Sequence, residues 1–190
     1  MKVINTEIPE VKIIEPQVRK DPRGYFFESF NQLAFENQIG PVKFVQDNQS
    51  FSVRNTFRGL HYQLPPFAQA KLVRVTQGAV LDFAVDIRKG SPTFGRSVAV
   101  ELTDSNYRQL FVPRGFAHGF LVLSETAIFQ YKVDNYYSTE SDRGIRFDDP
   151  QIALHFPNTA ELLLSAKDQA LPLLETAELF DFSAPSPTLS

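Results

Sequence analysis

Residues 71–88 read KLVRVTQGAVLDFAVDIR, and their pattern decides the fold. Apolar and polar side chains alternate on both sides of Gly78, as is typical of β-strands rather than helices. We expect Gly78 to turn the chain so that residues 71–76 and 79–88 form a hairpin-like pair. One face of the second strand carries Leu81, Phe83, Val85 and Ile87, and the other carries Asp82, Ala84, Asp86 and Arg88.

Further strand patterns follow at short, fairly even intervals. They cover residues 97–102, 109–112, 119–123 and 127–133, with turn residues between them. Helix patterns are few: one lies near residues 32–38 and one near residues 159–165. Many short strands separated by Gly and Pro turns predict an all-β sandwich or barrel with a few short flanking helices.

The length of the chain, 190 residues, suits one domain with a buried core. We expect a single domain over residues 1–182 and a disordered tail over residues 183–190, where Ser and Pro dominate. Apolar residues make up 43% of the chain and charged residues 22%, as in ordinary water-soluble proteins. The 18 phenylalanines predict a core or cavity wall rich in aromatic rings.

Charge and cysteine content argue against several classes of function. The net charge of -3 gives no reason to expect nucleic acid or an anionic membrane as partner. Cysteine is absent, which excludes disulfides, thiolate nucleophiles and cysteine-based metal sites. The N-terminal residues lack the apolar core of a signal peptide, and no apolar run is long enough to span a bilayer. The expected location is therefore the cytoplasm.

Two short segments carry two of the three histidines: RGLHYQ at residues 58–63 and PRGFAHGF at residues 113–120. Histidine is the side chain best suited to moving protons near neutral pH. Gly59 lets the backbone approach a ligand closely, and Lys71 adds a cation shortly after the first segment. This combination favours a site around His61 over a histidine buried for structural reasons.

A histidine base needs a group that fixes its tautomer and holds the imidazolium, and a carboxylate does this best. Asp82, Asp86 and Asp168 are the candidates, and spacing along the chain does not choose among them. Strand parity also fails to place Arg58 and His61 on one face. A β-bulge at Gly59 is needed to bring both into one site.

The second segment matches the latter half of a cupin-type metal pattern. The first half of that pattern normally supplies His-x-His and a downstream Glu, whereas this chain has Gln63 and Lys71 instead. His155 lies in an apolar context and is expected to be structural. Since a first-row metal usually needs three or four N or O ligands, we expect no metal ion.

Tyr131 alternates with apolar neighbours, so it is predicted to face inward. There it would either close the barrel with its hydroxyl at the rim or donate a proton opposite His61. Tyr136 and Tyr137 are candidates for stacking on an aromatic ligand.

Arginine precedes glycine at Arg23 and Arg58, a pairing that suits a bidentate grip on phosphate. The alternative for both is a solvated surface charge. Glu28, Gln46 and Asn48 carry the carboxylate and amide groups that can read the edge of a base.

Together these motifs resemble the dTDP-4-dehydrorhamnose 3,5-epimerase family, in order and at matching spacing from about residue 8 to about residue 174. The shared segments are QDN at 46–48, RGLHYQ at 58–63, AQAKLV at 68–73, VDIR at 85–88, SPTFG at 91–95, PRGFAHGF at 113–120 and SAKD at 165–168. The resemblance implies a cupin-like jelly roll, usually a homodimer, that uses neither metal nor cofactor. Its substrate would be a thymidine diphosphate 4-keto-6-deoxy sugar.

The resemblance also implies roles for individual residues. His61 would remove the protons at C5 and C3, with Asp168 as its partner. Lys71 would bind the substrate and stabilise the negative oxygen at C4, and Tyr131 would return a proton from the other face. The nucleotide and phosphates would be held by Arg23, Glu28, Gln46, Asn48, Arg58, His118 and Lys167, with Tyr136 against the base. Residues 139–144 depart from the proline-containing loop usual in the family, and Asp142 is the expected acidic residue there.

The implied reaction inverts C3 and C5 of dTDP-4-dehydro-6-deoxy-D-glucose through an enolate and gives dTDP-4-dehydro-L-rhamnose. One alternative is an enzyme of the same fold that inverts one carbon or shifts the ketone. A non-catalytic sugar-nucleotide-binding protein and a metal-dependent cupin oxygenase are further alternatives. The joint presence of His61, Lys71 and Tyr131 favours double epimerisation, while Gln63 and Lys71 disfavour the oxygenase.

Overall fold

The structure is a computed structural model in which residues 1–156 and 162–182 are described. Over these residues the chain forms fifteen strands and two short helices. The strands are β1 (Lys2–Asn5), β2 (Lys12–Glu15), β3 (Arg19–Asp21), β4 (Gly24–Phe26), β5 (Gln46–Val53), β6 (Phe57–Gln63), β7 (Lys71–Gln77), β8 (Ala79–Asp86), β9 (Arg88–Lys89), β10 (Ser97–Thr103), β11 (Gln109–Val112), β12 (Phe116–Val122), β13 (Thr126–Val133), β14 (Asp142–Gly144) and β15 (Phe180–Asp181). The helices are α1 (Gln32–Gln38) and α2 (Ala166–Gln169). None of the described helices is long and apolar enough to cross a membrane.

Most strands belong to two antiparallel sheets that pack face to face. The larger sheet has the strand order β1-β2-β11-β7-β13-β5, and the smaller sheet has the order β10-β8-β12-β6-β14. From β5 to β8, and again from β10 to β13, successive strands alternate between the sheets, which is the winding of a jelly roll. The predicted all-β, cupin-like jelly roll with a few short flanking helices is confirmed.

Several predicted elements are found close to their predicted bounds. The strands predicted over residues 97–133 are β10 to β13, and the first predicted helix is α1. Asn31 caps α1, because its side chain accepts the N–H of Ala34. The second predicted helix is wrong over residues 162–165, which are not helical, and its remaining residues up to 161 lie outside the described residues. The predicted disordered tail, residues 183–190, lies outside them as well.

The hairpin predicted over residues 71–88 is wrong. Gly78 does turn the chain, with φ +83°, but β7 pairs with β11 and β13 whereas β8 pairs with β10 and β12. Gly78 is therefore a corner at which the chain crosses from the larger sheet to the smaller one. Alternation around a glycine does not separate these two cases, because a hairpin and a corner both place a tight turn between two strands.

Strand β8 is buried on both faces. Val80 and Ala84 point into the core between the sheets, which also contains Phe129 from the opposite sheet. Phe83 and Val85 point the other way and pack beneath the C-terminal residues that cover the smaller sheet. Burying one such side chain contributes about 1.5–3 kcal/mol, so coverage of both faces makes β8 a rigid wall of the interior.

A bulge in β6 brings two of the predicted site residues to one face of the sheet. Against β12, His61 lies opposite His118 and Arg58 lies opposite Phe120, so β6 has one more residue than β12 over this interval. Gly59, which has φ +142°, occupies the bulge. A β-carbon on Gly59 would lie 2.6 Å from the α-carbon of Gly119. The predicted bulge is confirmed, and it requires glycine for both its conformation and its close contact.

Replacing Gly59 by alanine should destabilise the fold much more than the same change at Gly40. Gly40 has a matching φ of +143°, but an added β-carbon there meets nothing within 4 Å. Gly40→Ala therefore carries only the conformational strain, about 1–3 kcal/mol. Gly59→Ala adds a backbone clash, so we expect its loss of unfolding free energy in urea to be at least twice that of Gly40→Ala. Equal losses would contradict the role given to the Gly59–Gly119 contact.

Candidate active site

A cavity of about 340 Å³ lies between the two sheets. The four residues expected to be catalytic all line it: His61, Lys71, Tyr131 and Asp168. Three of the expected substrate-binding residues, Arg58, His118 and Lys167, also contribute to its wall. Segments far apart in sequence therefore meet at one site, because β6, β7, β12 and β13 are neighbours across the jelly roll.

His61 and Asp168 form a close pair. Nε2 of His61 lies 2.6 Å from Oδ1 of Asp168, a carboxylate that is almost fully buried. Ser165 begins the short helix α2 and accepts the N–H of Asp168 at 3.0 Å, which fixes the carboxylate in place. Burial pushes the pKa of Asp168 up, but the hydrogen bond and charge of His61, together with hydrogen bonds to Ser165 and the backbone of Gly59, hold that pKa below its usual value. The carboxylate thus orients the imidazole and leaves Nδ1 as the nitrogen that can face a ligand.

The other two candidate carboxylates have different partners. Asp82 is fully buried, and its two oxygens lie 3.0 Å and 3.1 Å from Nε2 of His118. Asp86 accepts hydrogen bonds from the guanidinium of Arg88 and from two nearby hydroxyl groups. The geometry therefore pairs His61 with Asp168 rather than with either of them.

Lys71 reaches the cavity from the start of β7. Its ammonium group lies 3.5 Å from the backbone carbonyl of His61. Burial lowers the pKa of Lys71 to about 8, although the negative charges of Asp82 and Asp142 oppose the shift. Lys71 is therefore a cation at neutral pH that loses its charge under mildly alkaline conditions.

Tyr131 enters the cavity from β13, in the sheet opposite to the one that carries His61. Its ring packs against Phe129 in the core, which confirms the prediction that Tyr131 faces inward. Burial raises the pKa of Tyr131, and the positive charge of Arg58 partly offsets this effect. The phenol is therefore protonated at neutral pH and faces the cavity from the side opposite the imidazole.

Cationic groups mark the more exposed part of the cavity. The Arg58 guanidinium donates to the hydroxyl of Ser52 at 2.9 Å, and Lys167 donates to Asp142. Asp142 lies in β14, beside β6, and also accepts the hydroxyl of Tyr137 at 3.1 Å. The structure thus places Asp142 behind Lys167, where it holds the ammonium group.

Two predicted base-reading residues lie on β5. Asn48 is directly opposite Tyr131 across the β5–β13 pair, so both project from the same face of the sheet. The side-chain amide of Gln46 donates to Oδ1 of Asn48 at 2.8 Å. Asn48 lines a neighbouring depression of about 400 Å³ that shares Gln49 and Tyr131 with the cavity.

Three other predicted binding residues do not line the cavity of their own chain. Arg23 is exposed and pairs with Asp21 at 2.6 Å. Glu28 is exposed and accepts from the side-chain amide of Asn31 at 3.3 Å. Tyr136 also exposes most of its side chain to solvent.

Sequence reasoning missed part of the cavity wall. Phe120 and Phe129 stack with their ring centroids 4.0 Å apart and form an apolar side of the cavity. Ser50 lines the cavity from β5, on the same face as Asn48, and a strict alternation from Asn48 would have found it. Ser165 belongs to the SAKD segment, but its spacing does not place it in the cavity wall, because its position depends on how the C-terminal segment folds back onto β6.

The residues at the cupin metal positions have other partners here. The Gln63 side chain donates to the carbonyls of Phe67 and Tyr136 and accepts the N–H of Ser138, which engages both ends of its amide. His155 is exposed and lies outside the cavity. Across residues 1–156 and 162–182, no three His, Asp or Glu side chains come together in a group suited to a metal ion.

Comparison with known proteins gives one consistent family. The family model that matches residues 5–176 is that of dTDP-4-dehydrorhamnose 3,5-epimerase. The enzyme of that name from Escherichia coli (strain K12) is 57% identical over 176 residues, which cover 92% of this chain and 95% of the relative. A more distant relative, the dTDP-4-dehydrorhamnose 3-epimerase of Streptomyces niveus, is 38% identical over 86% of this chain and 79% of its own.

Solved structures agree with the sequence comparison. The 3,5-epimerase of Legionella pneumophila, in complex with dTDP-4-keto-L-rhamnose, superposes with a TM-score of 0.93. It is 48% identical, and the match covers 96% of this chain and 99% of that one. The jelly roll, the matched segments and the cavity with its His–Asp pair therefore have one explanation. The chain belongs to the dTDP-4-dehydrorhamnose 3,5-epimerase family of isomerases.

Proposed function

We propose that the protein inverts C3 and C5 of dTDP-4-dehydro-6-deoxy-D-glucose to give dTDP-4-dehydro-L-rhamnose, without metal or cofactor. The observation that carries this proposal is the arrangement of His61 and Tyr131. The imidazole, held by Asp168, and the phenol enter one cavity from opposite sheets. Inversion of a carbon needs a base on one face and an acid on the other, and this arrangement supplies both.

Lys71 supplies the electrostatic part of the mechanism. The C4 ketone acidifies the hydrogens on both neighbouring carbons, and removal of either by His61 places negative charge on O4. A cation fixed beside O4 stabilises this enolate more than the ketone. Two unit charges about 4 Å apart at an effective dielectric constant of about 20 interact by about 4 kcal/mol. That corresponds to roughly a thousandfold in rate, which is enough to make Lys71 essential.

Tyr131 completes the inversion by protonating the enolate carbon from the other face. Its pKa is raised by burial, so the hydroxyl holds its proton until an enolate forms. The Arg58 charge stabilises the phenolate that donation leaves behind. Asp168 does the same for the imidazolium of His61.

The nucleotide end of the substrate lies at the cationic part of the cavity in this proposal. Arg58 and Lys167 hold the diphosphate, because exposed cations near a cavity mouth suit a strongly hydrated anion. Gln46 and Asn48, which are linked by a hydrogen bond on β5, present amide groups to the base. Asp142 acts through Lys167 by fixing its ammonium group.

A homodimer is part of the proposal. The β3–β4 hairpin is exposed at every residue, and Phe26 exposes 67% of its surface. A two-stranded hairpin is marginally stable by itself, and exposed aromatic groups mark interaction surfaces. Since Arg23 and Glu28 do not line the cavity of their own chain, we assign their nucleotide contacts to the cavity of a second copy. A single domain and a cytoplasmic location stay predictions from the sequence.

A 3-epimerase is the second candidate, because the relative from Streptomyces niveus has that name at 38% identity. Deuterium exchange separates the two activities. In D2O with dTDP-4-dehydro-6-deoxy-D-glucose, the proposed enzyme incorporates deuterium at both C3 and C5, as followed by NMR. Incorporation at C3 alone identifies the 3-epimerase.

His61→Ala should abolish exchange at both carbons while dTDP binding, measured by calorimetry, changes by less than about threefold. The reason is that His61 is the proposed base and the diphosphate is held by other side chains. His155→Ala is the matched control, since this exposed histidine lies outside the cavity and its loss should leave exchange unchanged. Residual exchange together with lost dTDP binding would overturn the role of His61.

Tyr131→Phe should slow net inversion more than proton abstraction. Without the phenol, the enolate still forms at His61 but is reprotonated mainly from the side it left. We expect the rate of net inversion to fall by about 10²–10⁴-fold, the usual contribution of a general acid. The rate of deuterium exchange should fall by a factor that is at least ten times smaller. An equal loss of both rates would contradict a donor role.

The activity should fall as pH rises through about 8. Lys71 has a pKa lowered to about 8 by burial, and only its charged form stabilises the enolate. Below this pKa the ammonium group of Lys71 is present, and above it the charge is lost. The pH profile of kcat/KM should therefore show an alkaline limb near 8. The limb should move upward in Lys71→Arg, whose guanidinium stays charged. An unchanged limb in that variant would assign it to another group.

A further inference from the structure

A second histidine–carboxylate pair lies at the cavity wall. Nε2 of His118 is within 3.1 Å of both oxygens of Asp82, and Asp82 is 0% exposed. His118 lies opposite His61 across the β6–β12 pair, so the two imidazoles project from the same face of the sheet. His118 lines the cavity together with Lys71, whereas Asp82 lies on the buried strand β8, directly opposite Phe120 of the cavity wall.

Asp82 takes no part in the proton transfers of the proposed reaction. A fully buried carboxylate destabilises the folded protein unless other groups compensate for its charge. Burial raises the pKa of Asp82, while His118 and Lys71 both act to lower it. The effect is mutual, because Asp82 is the strongest influence that opposes the loss of charge from Lys71. The charges of Asp82 and Lys71 therefore influence each other.

Several other charged groups surround Lys71. The charged and titratable groups that face it are Asp82 from β8, His118 from β12, Arg58 and His61 from β6, Tyr131 from β13, Asp142 from β14, and Lys167 and Asp168 from α2. Among these are three carboxylates.

Two of the three carboxylates are each bound to another cationic or protonatable side chain. Asp142 binds Lys167, and Asp168 binds His61. Asp82 pairs with Nε2 of His118, and against the dominant effect of burial it does more than Asp142 to keep the pKa of Lys71 from falling further. Because Asp82 has no exposure to solvent, water does not screen this charge as it would on the surface.

We propose that Asp82 is a positioning residue of the active site, which holds His118 against the cavity wall and supplies the negative charge that keeps Lys71 cationic. This inference rests on the proposed function, since it concerns the cation assigned to the enolate. A buried lysine without a counter-charge becomes neutral, and a neutral Lys71 would lose its electrostatic effect. Asp82 thus acts on the reaction without touching the substrate.

Asp82→Asn tests the charge by itself. Asparagine has nearly the same shape, and its carbonyl oxygen can still accept from Nε2 of His118. We expect the alkaline limb of kcat/KM to move from near 8 to about one pH unit lower, because an opposite charge nearby typically shifts a pKa by at least that amount. At pH 6, where Lys71 is protonated in either protein, kcat should remain within about threefold.

Asp86→Asn is the matched control. Asp86 is also 0% exposed and lies on the same strand, but its partners are Arg88 and hydroxyl groups outside the cavity. The alkaline limb of kcat/KM in the Asp86→Asn variant should stay near pH 8, even if the variant is less stable than the wild type. In the double variant Asp82→Asn/Lys71→Arg the guanidinium keeps its charge, so the downward shift should disappear. An unmoved limb in Asp82→Asn, or an equal shift in Asp86→Asn, would overturn the proposal.

A measurement on the wild-type side chain covers the case in which Asp82→Asn fails to fold. The carboxyl ¹³C signal of Asp82 is followed by NMR against pH in the wild type and in Lys71→Met. Loss of the ammonium should move the titration of Asp82 to higher pH, and an unmoved titration would overturn the coupling. This readout needs no substrate, so it is independent of the wild-type deuterium exchange that tests the proposed function.

Discussion

The contact between Gly59 and Gly119 is the constraint on which the site depends. Two backbones meet there at a distance that leaves no space for a β-carbon, and this contact seats the bulge of β6 against β12. The bulge changes which face the following residues occupy, because side chains alternate along a strand. As a result Arg58 and His61 both reach the cavity. Without the extra residue, one of these two would point into the apolar cluster beneath the C-terminal segment, where Leu60 and Tyr62 now lie.

In the part of the chain that the structure describes, the charged groups of the site form three pairs. His61 with Asp168, His118 with Asp82, and Lys167 with Asp142 each join a cationic or protonatable group to one carboxylate. Of these three carboxylates, those of Asp82 and Asp168 are the least exposed, and a buried charge has a larger effect than an exposed one. Lys71 has no carboxylate at ion-pair distance among the described residues, which leaves its ammonium to face a ligand.

The sequence predicted the secondary-structure elements and most of the site residues, because both follow from local patterns in the chain. Alternation identified β7, β8, β10, β11 and β13, and the spacing of glycine and histidine pointed to His61. Alternation does not identify the strand with which a given strand pairs. Gly78 was therefore interpreted as a hairpin turn, although it is a corner between the two sheets. Spacing likewise left the partner of His61 open, because Asp168 reaches it only through the fold of the C-terminal segment. The resemblance to the family supplied that pairing, not the residues themselves. Arg23 and Glu28 show the same limit, because both lie outside the cavity and the spacing of residues along the chain does not reveal this.

Two inversions on one bound sugar make a demand that a single inversion does not. In the proposed mechanism, the first inversion leaves His61 with an additional proton and Tyr131 without one, so both must be restored before the second carbon can react. Burial raises the pKa of Tyr131, so a phenolate formed there tends to take up a proton again, although the charge of Arg58 partly offsets this effect. In that mechanism, return of a proton from His61 to Tyr131 leaves the imidazole as a base and the phenol as an acid once more. A site that regains its base and its acid while the sugar stays bound is suited to repeat its chemistry on a second carbon.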